Sequence, residues 1–334
     1  MSTKIAINGF GRIGRAAFKI ALAKKNLKVM AINDLMSPDV MAYLLKYDTV
    51  YGRYTGEVEE DKLGIKVNGK SYLVTAEKEP AKLPWKKLGV EVVLECSGRF
   101  ADKESASAHL KAGAKKVIIS AIAKGGVPMY LLGVNVKGKI KDDIISNASC
   151  TSNCVGPVAQ VMVSAFGVEK AMMTTIHSYT AEQNLVDGPP PALHKDMHRA
   201  RAAAHNIAPT TTGAAITTTE VVPELKGLFD GLSVRVPTIC VSLSDLTFVL
   251  KKNVTKEQVN QAIVKASKTS RYQGILEVTD QPLVSSDFIG NPSSVTVDLS
   301  LTQVVGGNLV KVVGWYDNEW GYANRLVEMI DLVK

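Results

Sequence analysis

Hydrophobic and polar positions follow two alternating patterns along the first 150 residues. Short apolar runs bounded by turn residues are typical of buried strands, whereas apolar residues recurring every three or four positions indicate helices. Such an alternation predicts an α/β fold with a doubly wound parallel sheet. Strands are predicted at 4–8, 28–32, 90–95 and 116–120, a hairpin at 65–74, and helices at 12–24, from Ser37 onward and at 102–112.

The pattern changes after residue 150. A helix follows first, and then come longer strands that predict a second, α+β domain with a mainly antiparallel sheet. A closing helix buries an apolar stripe, and we expect it to pack back on the first domain. Strands are predicted at 168–177, 242–250, 296–301 and 309–315, and an amphipathic helix at 255–268.

A glycine-rich loop connects the first predicted strand to the first predicted helix. The loop reads Gly9-Phe10-Gly11-Arg12-Ile13-Gly14. Gly9 permits a tight turn, Gly11 lets a pyrophosphate approach the backbone, and Gly14 lets helix and strand pack closely. The loop therefore predicts a dinucleotide-binding Rossmann domain, which we assign to residues 1–149 and 316–334, with the catalytic domain at 150–315.

Polar residues at the ends of later strands extend this predicted cofactor site. Asp34 lies twenty residues after Gly14, at the end of the second strand. An acid there accepts a hydrogen bond from a ribose 2′-hydroxyl and repels a 2′-phosphate, which favours NAD over NADP. A turn cap is the structural alternative for Asp34. Ser97 and Ser120 also follow strand ends, where cofactors bind in parallel sheets.

Composition narrows the class of protein. The 334 residues are 46% apolar and 22% charged, which is ordinary for a globular protein with two domains. No apolar run reaches the roughly 20 residues of a membrane span. The net charge of +8 suits anionic metabolites, while lysines scattered in pairs argue against a dedicated nucleic-acid surface. Few cysteines and no metal-ligand spacing predict a reduced, cytoplasmic setting without a metal.

Cys150 is the best candidate for a nucleophile. Small polar residues surround it, and a helical pattern begins directly after it, with Ser149 or Thr151 as the cap. A helix N-terminus favours the thiolate. For Cys96, Cys154 and Cys240, the sequence favours a structural role as buried core residues. His177 ends a long strand and could serve as the base of a Cys–His pair, although a structural histidine is the alternative.

Two features of the second half predict anion binding. Thr212 and Gly213 lie in a hydroxyl-rich stretch that leads into a helix, which suits a phosphate. Arg235 interrupts an apolar strand and needs an anionic partner. The proline-rich loop at 186–195 is stiff, and the basic residues after it form either a solvated face or an anion and subunit contact. His194, His198 and His205 lack a convincing metal-binding arrangement.

Taken together, the chain resembles the phosphorylating glyceraldehyde-3-phosphate dehydrogenases over essentially its whole length. Separated motifs in the same order carry the resemblance, namely residues 7–15, 146–154, 177–180, 209–215, 235–238 and 315–319. The loop at 186–195 is longer and richer in proline than in the members it resembles. Lys78 and Glu182 also depart from the family, which usually has an arginine and a shorter acid there.

The resemblance implies a reaction. The Cys150 thiolate attacks the aldehyde with His177 as base, a hydride passes to NAD, and inorganic phosphate cleaves the resulting thioester. Asn318 resembles the residue that holds the nicotinamide carboxamide. The family is homotetrameric. Implied cofactor contacts are Arg12, Ile13, Asp34, Lys78 and Ser120; implied substrate-phosphate residues are Thr180 and Arg235; implied residues for the attacking phosphate are Ser149, Thr151, Arg199, Thr212 and Gly213.

Other functions stay open at this point. An erythrose-4-phosphate dehydrogenase of the same family would use the same residues. A semialdehyde dehydrogenase would use the Cys–His pair, but the two phosphate-type clusters disfavour it. A protein that uses the fold to hold RNA or another chain is permitted by the charge of +8, although Cys150, His177 and Asn318 argue for catalysis.

Overall fold

The computed structural model describes residues 2–190 and 196–334, so His194 lies outside the described residues. The chain divides into two compact units. Unit 1 comprises residues 1–130, 136–149 and 322–334, and unit 2 comprises residues 131–135 and 150–321. The sequence pattern predicts a boundary at residue 316, whereas residues 316–321 have their contacts in unit 2. The closing helical residues from 322 onward belong to unit 1.

Unit 1 is built on a sheet ordered β3-β4-β5-β2-β1-β6-β7-β8. Neighbouring strands from β5 to β8 are parallel, and the β3–β4 and β4–β5 pairs are antiparallel. Its elements are β1 Thr3–Asn8, α1 Arg12–Ala23, β2 Leu27–Asn33, α2 Pro38–Lys46, β3 Val58–Asp61, β4 Gly64–Val67, β5 Lys70–Thr75, α3 Trp85–Leu88, β6 Val92–Glu95, α4 Lys103–Lys111, β7 Lys116–Ile119 and β8 Ile144–Ser146.

The chain order reverses in the middle of this sheet. Strand β1 lies between β2 and β6, so the chain builds outward from β1 first on one side and then on the other. In doubly wound sheets this switch point opens a crevice at the carboxyl ends of the strands, where ligands bind. The predicted hairpin is also present: Asn68 (φ 50°) and Gly69 (φ 77°) make the left-handed turn between β4 and β5.

Unit 2 contains a mostly antiparallel sheet ordered β10-β11-β9-β12-β16-β14-β13, with β15 paired to β16. The predicted fold class is confirmed. The remaining elements are α5 Cys150–Phe166, β9 Val168–Ser178, β10 Ala208–Thr210, α6 Ala214–Val221, β11 Phe229–Val236, β12 Ser242–Leu250, α7 Lys256–Ser267, β13 Leu276–Thr279, β14 Val295–Asp298, β15 Gln303–Val305, β16 Leu309–Tyr316, α8 Trp320–Glu328 and α9 Ile330–Val333.

One predicted strand is shorter than expected. The run at 296–301 stops pairing after Asp298, and residues Leu299–Leu301 form a 3₁₀ turn. The turn forms because the Asp298 side chain accepts the Ser300 N–H at 3.1 Å, as a capping carboxylate does.

Helix α5 packs closely on the sheet of unit 2. Cys154, one turn into the helix, is fully buried, and its Sγ faces Gly314 of β16. A Cβ added at Gly314 would lie 2.6 Å from the Val295 side chain and 3.5 Å from Cys154 Sγ. The absence of a side chain at Gly314 therefore makes room for Val295 of the neighbouring strand β14, whereas Cys154 of α5 would still be at an ordinary contact distance.

The two glycines at positions 14 and 11 differ in whether neighbouring protein atoms leave room for a side chain. A Cβ on Gly14 would lie 2.0 Å from the Gly9 carbonyl oxygen, whereas one on Gly11 would meet no protein atom within 4 Å. Gly11 also has an ordinary φ of −69°. Packing of α1 on β1 thus explains glycine at 14 and leaves glycine at 11 unexplained by the fold.

We therefore expect Gly14→Ala to lower the free energy of unfolding by about 2 kcal/mol or more, because overpacking outweighs the helix propensity of alanine. Urea denaturation measures the change. Gly11→Ala is the matched control and should stay within about 0.5 kcal/mol of the wild type. Equal stability of the two variants would contradict the packing argument.

Candidate active site

The glycine loop lies against the residues that follow β6. Gly9 has a φ of +94°, and a Cβ there would lie 2.5 Å from the Ser97 nitrogen, so only glycine fits. The Phe10 N–H donates to Asp34 Oδ2 at 2.6 Å, and Asp34 Oδ1 accepts the Met36 N–H at 2.9 Å. The fold thus brings the predicted acid at the end of β2 directly to the loop.

The other predicted cofactor residues lie near the same edge, with different roles. The Arg12 guanidinium pairs with Asp48 at 2.9 Å, so a phosphate contact from Arg12 would come from its backbone N–H in the first turn of α1, beside Ile13. The Ser97 hydroxyl donates to Glu95 and accepts the Arg99 N–H. Lys78 is exposed three residues after β5, and Ser120 directly follows β7.

In unit 2, Cys150 begins α5 and His177 lies near the end of β9. Cys150 Sγ is 3.5 Å from His177 Nε2, and His177 Nδ1 is 2.7 Å from the Ser178 carbonyl oxygen. A carbonyl only accepts, so the proton of a neutral ring lies on Nδ1. Nε2 therefore presents a lone pair to the thiol, which is the geometry of a base and its nucleophile.

Tyr316 of β16 holds this pair in place and was not predicted as a site residue. Its ring lies edge-on to His177, with centroids 6.0 Å apart, and its hydroxyl is 2.8 Å from Thr175 Oγ1 and 3.0 Å from Thr151 Oγ1. Thr151 is the second residue of α5, so the expectation that it caps the helix is wrong. Its hydroxyl instead connects the helix start to Tyr316.

Burial opposes an isolated charge on either member of the pair. Burial raises the pKa of Cys150 to about 11, partly offset by Arg235 and by hydrogen bonds to Thr151. Burial also lowers the pKa of His177 to about 3, and the nearby positive charge of Arg235 adds to this. Both shifts favour the neutral thiol and the neutral imidazole, which opposes the thiolate that the helix N-terminus alone predicts. Transfer of the thiol proton to the imidazole, rather than to solvent, would keep the two new charges next to each other.

Two buried arginines share one carboxylate next to the pair. Arg235 Nη1 donates to Thr180 Oγ1 at 3.0 Å and to the Ser178 carbonyl at 3.1 Å. Arg199 Nη1 lies 2.7 Å from Glu182 Oε1, and Arg235 Nη2 lies 3.7 Å from the same oxygen. Two guanidinium groups that point at one carboxylate keep further donors for another anion, which suits a phosphate. Asp196 supplies a second negative charge near Arg199. Glu182 was not predicted as a site residue.

The remaining predicted phosphate residues lie at helix starts. Thr212 Oγ1 accepts the Ala214 N–H at 3.1 Å, and Gly213 is the N-cap of α6. Arg199 reaches this segment through Thr210, whose hydroxyl accepts from Arg199 Nε at 3.1 Å. Ser149 is half-buried and directly precedes α5. Backbone N–H groups at the start of α6, with the Thr212 hydroxyl beside them, form a second anion-binding arrangement.

Asn318 lies beyond the end of β16 and is buried. Its Oδ1 accepts from the Ser178 hydroxyl at 3.0 Å and from the Ser242 hydroxyl at 3.2 Å. In this arrangement the Nδ2 group of Asn318 is left to meet a ligand as a hydrogen-bond donor. Residues 2–190 and 196–334 hold no cluster of three or more His, Cys, Asp or Glu side chains suited to a metal.

Family models match both the first and the second part of the chain. A family model described as the NAD binding domain of glyceraldehyde 3-phosphate dehydrogenase matches residues 3–103, and the model of its C-terminal domain matches residues 149–318. The chain belongs to the glyceraldehyde 3-phosphate dehydrogenase family. The C-terminal model of that family spans every unit 2 site residue from Cys150 to Asn318, and the NAD-binding model identifies NAD as the cofactor.

Individual relatives are similar over nearly the whole chain. Glyceraldehyde-3-phosphate dehydrogenases from Zymomonas mobilis and Geobacillus stearothermophilus are each 49% identical, covering 98% of this chain and 97% of their own length. Glyceraldehyde-3-phosphate dehydrogenase 2 from Staphylococcus aureus is 47% identical, covering 100% of this chain and 96% of its own. Among the described residues, no helix has the length and apolar content needed to cross a membrane.

The role of His177 can be tested by alkylating Cys150 with iodoacetamide. His177→Asn should slow the reaction at pH 7 by about tenfold or more, because the group that takes the thiol proton is gone. Because burial raises the pKa of Cys150, the rate in this variant should climb steadily with pH. His198→Asn, at an exposed histidine, is the control and should react like the wild type. Equal rates for wild type and His177→Asn at pH 7 would contradict the pairing.

Proposed function

We propose that this protein oxidises D-glyceraldehyde 3-phosphate to 1,3-bisphosphoglycerate with NAD and inorganic phosphate, through a covalent intermediate on Cys150. The contact of 3.5 Å between Cys150 Sγ and His177 Nε2, next to two buried arginines, is the observation that carries the proposal. Membership of the glyceraldehyde 3-phosphate dehydrogenase family supports the same reaction.

Cys150 supplies the nucleophile. As His177 Nε2 takes the thiol proton, sulfur attacks the aldehyde carbon, and the imidazolium then returns that proton to the former carbonyl oxygen, which gives a hemithioacetal and a neutral His177. His177 then takes the proton of the hemithioacetal hydroxyl while a hydride leaves the same carbon, which yields a thioester. NAD supplies the hydride acceptor when bound. Inorganic phosphate attacks the thioester carbonyl, releases the acyl phosphate, and restores the cysteine sulfur.

The two anion-binding arrangements account for the two phosphate groups of the reaction, the one on the substrate and the attacking inorganic phosphate. Thr180 and Arg235 bind the phosphate of the substrate, and Arg199 with Ser149, Thr151, Thr212 and Gly213 binds the attacking phosphate. Bound anions would also counter the positive charge of Arg235, which lowers the pKa of His177. Substrate binding therefore makes the imidazole a better base at the moment it is needed.

The residues of unit 1 fit the dinucleotide. Open space around Gly11, with no protein atom within 4 Å of an added Cβ, permits close approach of a pyrophosphate. Asp34 at the glycine loop binds the adenosine ribose and disfavours NADP. Gly9, Gly14, Arg12 and Ile13 shape the phosphate loop, and Lys78, Ser97 and Ser120 line the sheet edge. From unit 2, Asn318 is assigned to the nicotinamide carboxamide.

We also propose a homotetramer that works in the cytoplasm. One face of the unit 2 sheet carries uncovered apolar side chains: Met172 is 65% exposed and Leu232 is 45% exposed, with Ile176 and Val234 beside them in register. An apolar sheet face of this kind is typical of a subunit contact. Free thiols at the four cysteines fit a reducing compartment.

The reaction is tested by following NADH absorbance with glyceraldehyde 3-phosphate and NAD, with and without inorganic phosphate. Steady turnover should require phosphate, since it releases the acyl group from Cys150. Cys150→Ser should abolish turnover and keep NAD affinity, while Cys154→Ser, one helical turn away, is the control. NADP in place of NAD should give much slower turnover unless Asp34 is replaced by alanine. Faster turnover of erythrose 4-phosphate would instead favour the rival dehydrogenase.

The assembly is tested by sedimentation. The wild type should sediment as four chains of 35.9 kDa each. Leu232→Asp should yield smaller species, because a buried carboxylate in an apolar contact is strongly unfavourable. Val305→Asp, at a valine that is 62% exposed on the edge strand β15, should leave the mass unchanged. A monomeric wild type would refute the proposed assembly.

A further inference from the structure

Side-chain hydrogen bonds join the last residues of four neighbouring strands in unit 1. Thr75, Asn33, Asn8 and Glu95 end β5, β2, β1 and β6, and each lies in register beside the next. Thr75 Oγ1 donates to Asn33 Oδ1 at 2.8 Å, and Asn33 Nδ2 donates to Asn8 Oδ1 at 2.7 Å. Asn8 Nδ2 donates to Glu95 Oε2 at 2.5 Å. We call these four residues the strand-end ladder.

The backbone of Glu77 fixes the direction of the ladder. Its N–H donates to Asn33 Oδ1 at 2.9 Å, and its carbonyl accepts from Asn33 Nδ2 at 2.9 Å. A backbone N–H only donates and a carbonyl only accepts, so the amide of Asn33 has one orientation. Every donor of the ladder therefore points toward Glu95, and the loop carrying Lys78 is held to the end of β2.

Glu95 is where the ladder ends, and it is only 1% exposed. Its Oε1 accepts the Ser97 N–H at 2.8 Å and the Ser97 hydroxyl, while Oε2 accepts from Asn8 and from His109 Nε2 at 2.9 Å. The Trp85 Nε1–H donates to His109 Nδ1 at 3.0 Å, which places the ring proton on Nε2. Four donors converge on one carboxyl group, the environment that an ionised carboxylate requires.

Each residue of the ladder lies at most three positions before a residue of the proposed cofactor site. Asn8 is followed by Gly9 and Asn33 by Asp34, while Glu95 and Thr75 stand two and three residues before Ser97 and Lys78. The spacing of these segments is thus set where the strands end. The Ser97 hydroxyl is itself occupied as a donor to Glu95, so its role toward a ligand is limited to accepting.

We propose that Glu95 is a positioning residue for NAD, which acts through the strand-end ladder and through Ser97 without touching the cofactor. The proposal rests on the proposed function only in that unit 1 binds NAD. Because the ladder holds the strand ends in place before NAD binds, less conformational entropy is lost on binding, and the affinity for NAD is higher.

Glu91 offers a matched control on the same pair of strands. It precedes β6, and its Oε2 accepts the Lys4 N–H of β1 at 3.0 Å, at the amino ends of the strands. Glu91 therefore joins β1 and β6 with a carboxylate, as Glu95 does, but at the edge opposite the cofactor segments. A general effect of strand pairing would appear in both variants.

The test is calorimetric titration of the full chain with NAD. In Glu95→Gln an amide N–H₂ replaces one acceptor oxygen and must face a pair of donors, so we expect the Kd for NAD to rise about tenfold or more. Glu91→Gln should bind NAD like the wild type. In Glu95→Gln the KM for glyceraldehyde 3-phosphate and the alkylation rate of Cys150 should stay within about twofold of the wild type, since a positioning effect is confined to the cofactor.

An unchanged Kd in folded Glu95→Gln would overturn the proposal, and so would an equal loss of affinity in Glu91→Gln. If Glu95→Gln does not fold, Thr75→Val removes the hydroxyl that donates to Asn33 and should still weaken NAD binding severalfold; an unchanged Kd there would count against the ladder. A wild-type protein that binds NAD but forms no NADH from glyceraldehyde 3-phosphate would refute the reaction and leave the role of Glu95 standing.

Discussion

The proposed chemistry depends on the proton on His177 Nδ1, which is not itself transferred but sets the tautomer of the imidazole ring. The Ser178 carbonyl, 2.7 Å away, holds that proton in place and so leaves Nε2 as the lone pair facing Cys150 Sγ. The contact also needs the start of α5 beside the end of β9, and Tyr316 connects these two points through Thr151 and Thr175. The start of α5 and the end of β9 thus form one acid–base pair, in which His177 Nε2 is the atom placed to accept the Cys150 proton.

The charges around this unit bear on the protonation of both Cys150 and His177. Burial disfavours a lone charge on Cys150 or on His177, and the positive Arg235 draws the imidazole further toward its neutral form. Glu182 balances one of the two guanidinium charges of Arg199 and Arg235. In the proposed reaction, phosphate groups bound beside these arginines oppose the positive charge of Arg235, so that substrate recognition and nucleophile activation depend on the same two arginines.

Unit 1 prepares its site by a different means, close packing of backbone and a line of polar side chains. Gly9 and Gly14 allow the loop, helix α1 and the segment after β6 to approach more closely than any side chain would permit. Immediately beneath, the strand-end ladder holds four parallel strands to a common edge and ends in the buried carboxylate of Glu95. Polar groups with all their partners satisfied make such an edge rigid before a ligand arrives.

Several features could be predicted from the sequence because they depend on neighbours along the chain. The glycine loop between strand and helix, Asp34 at the next strand end and Cys150 at a helix start are all local, and hydrophobic periodicity located the elements around them. The capping role expected for Thr151 is wrong because its hydroxyl bonds to Tyr316, 165 residues away. The roles of Tyr316, Glu182 and the strand-end ladder depended on strand register and loop packing between distant segments. Local pattern determines which elements form, whereas only the paired and packed strands decide which side chains meet, because a change of one residue in register would turn each of them to the opposite face.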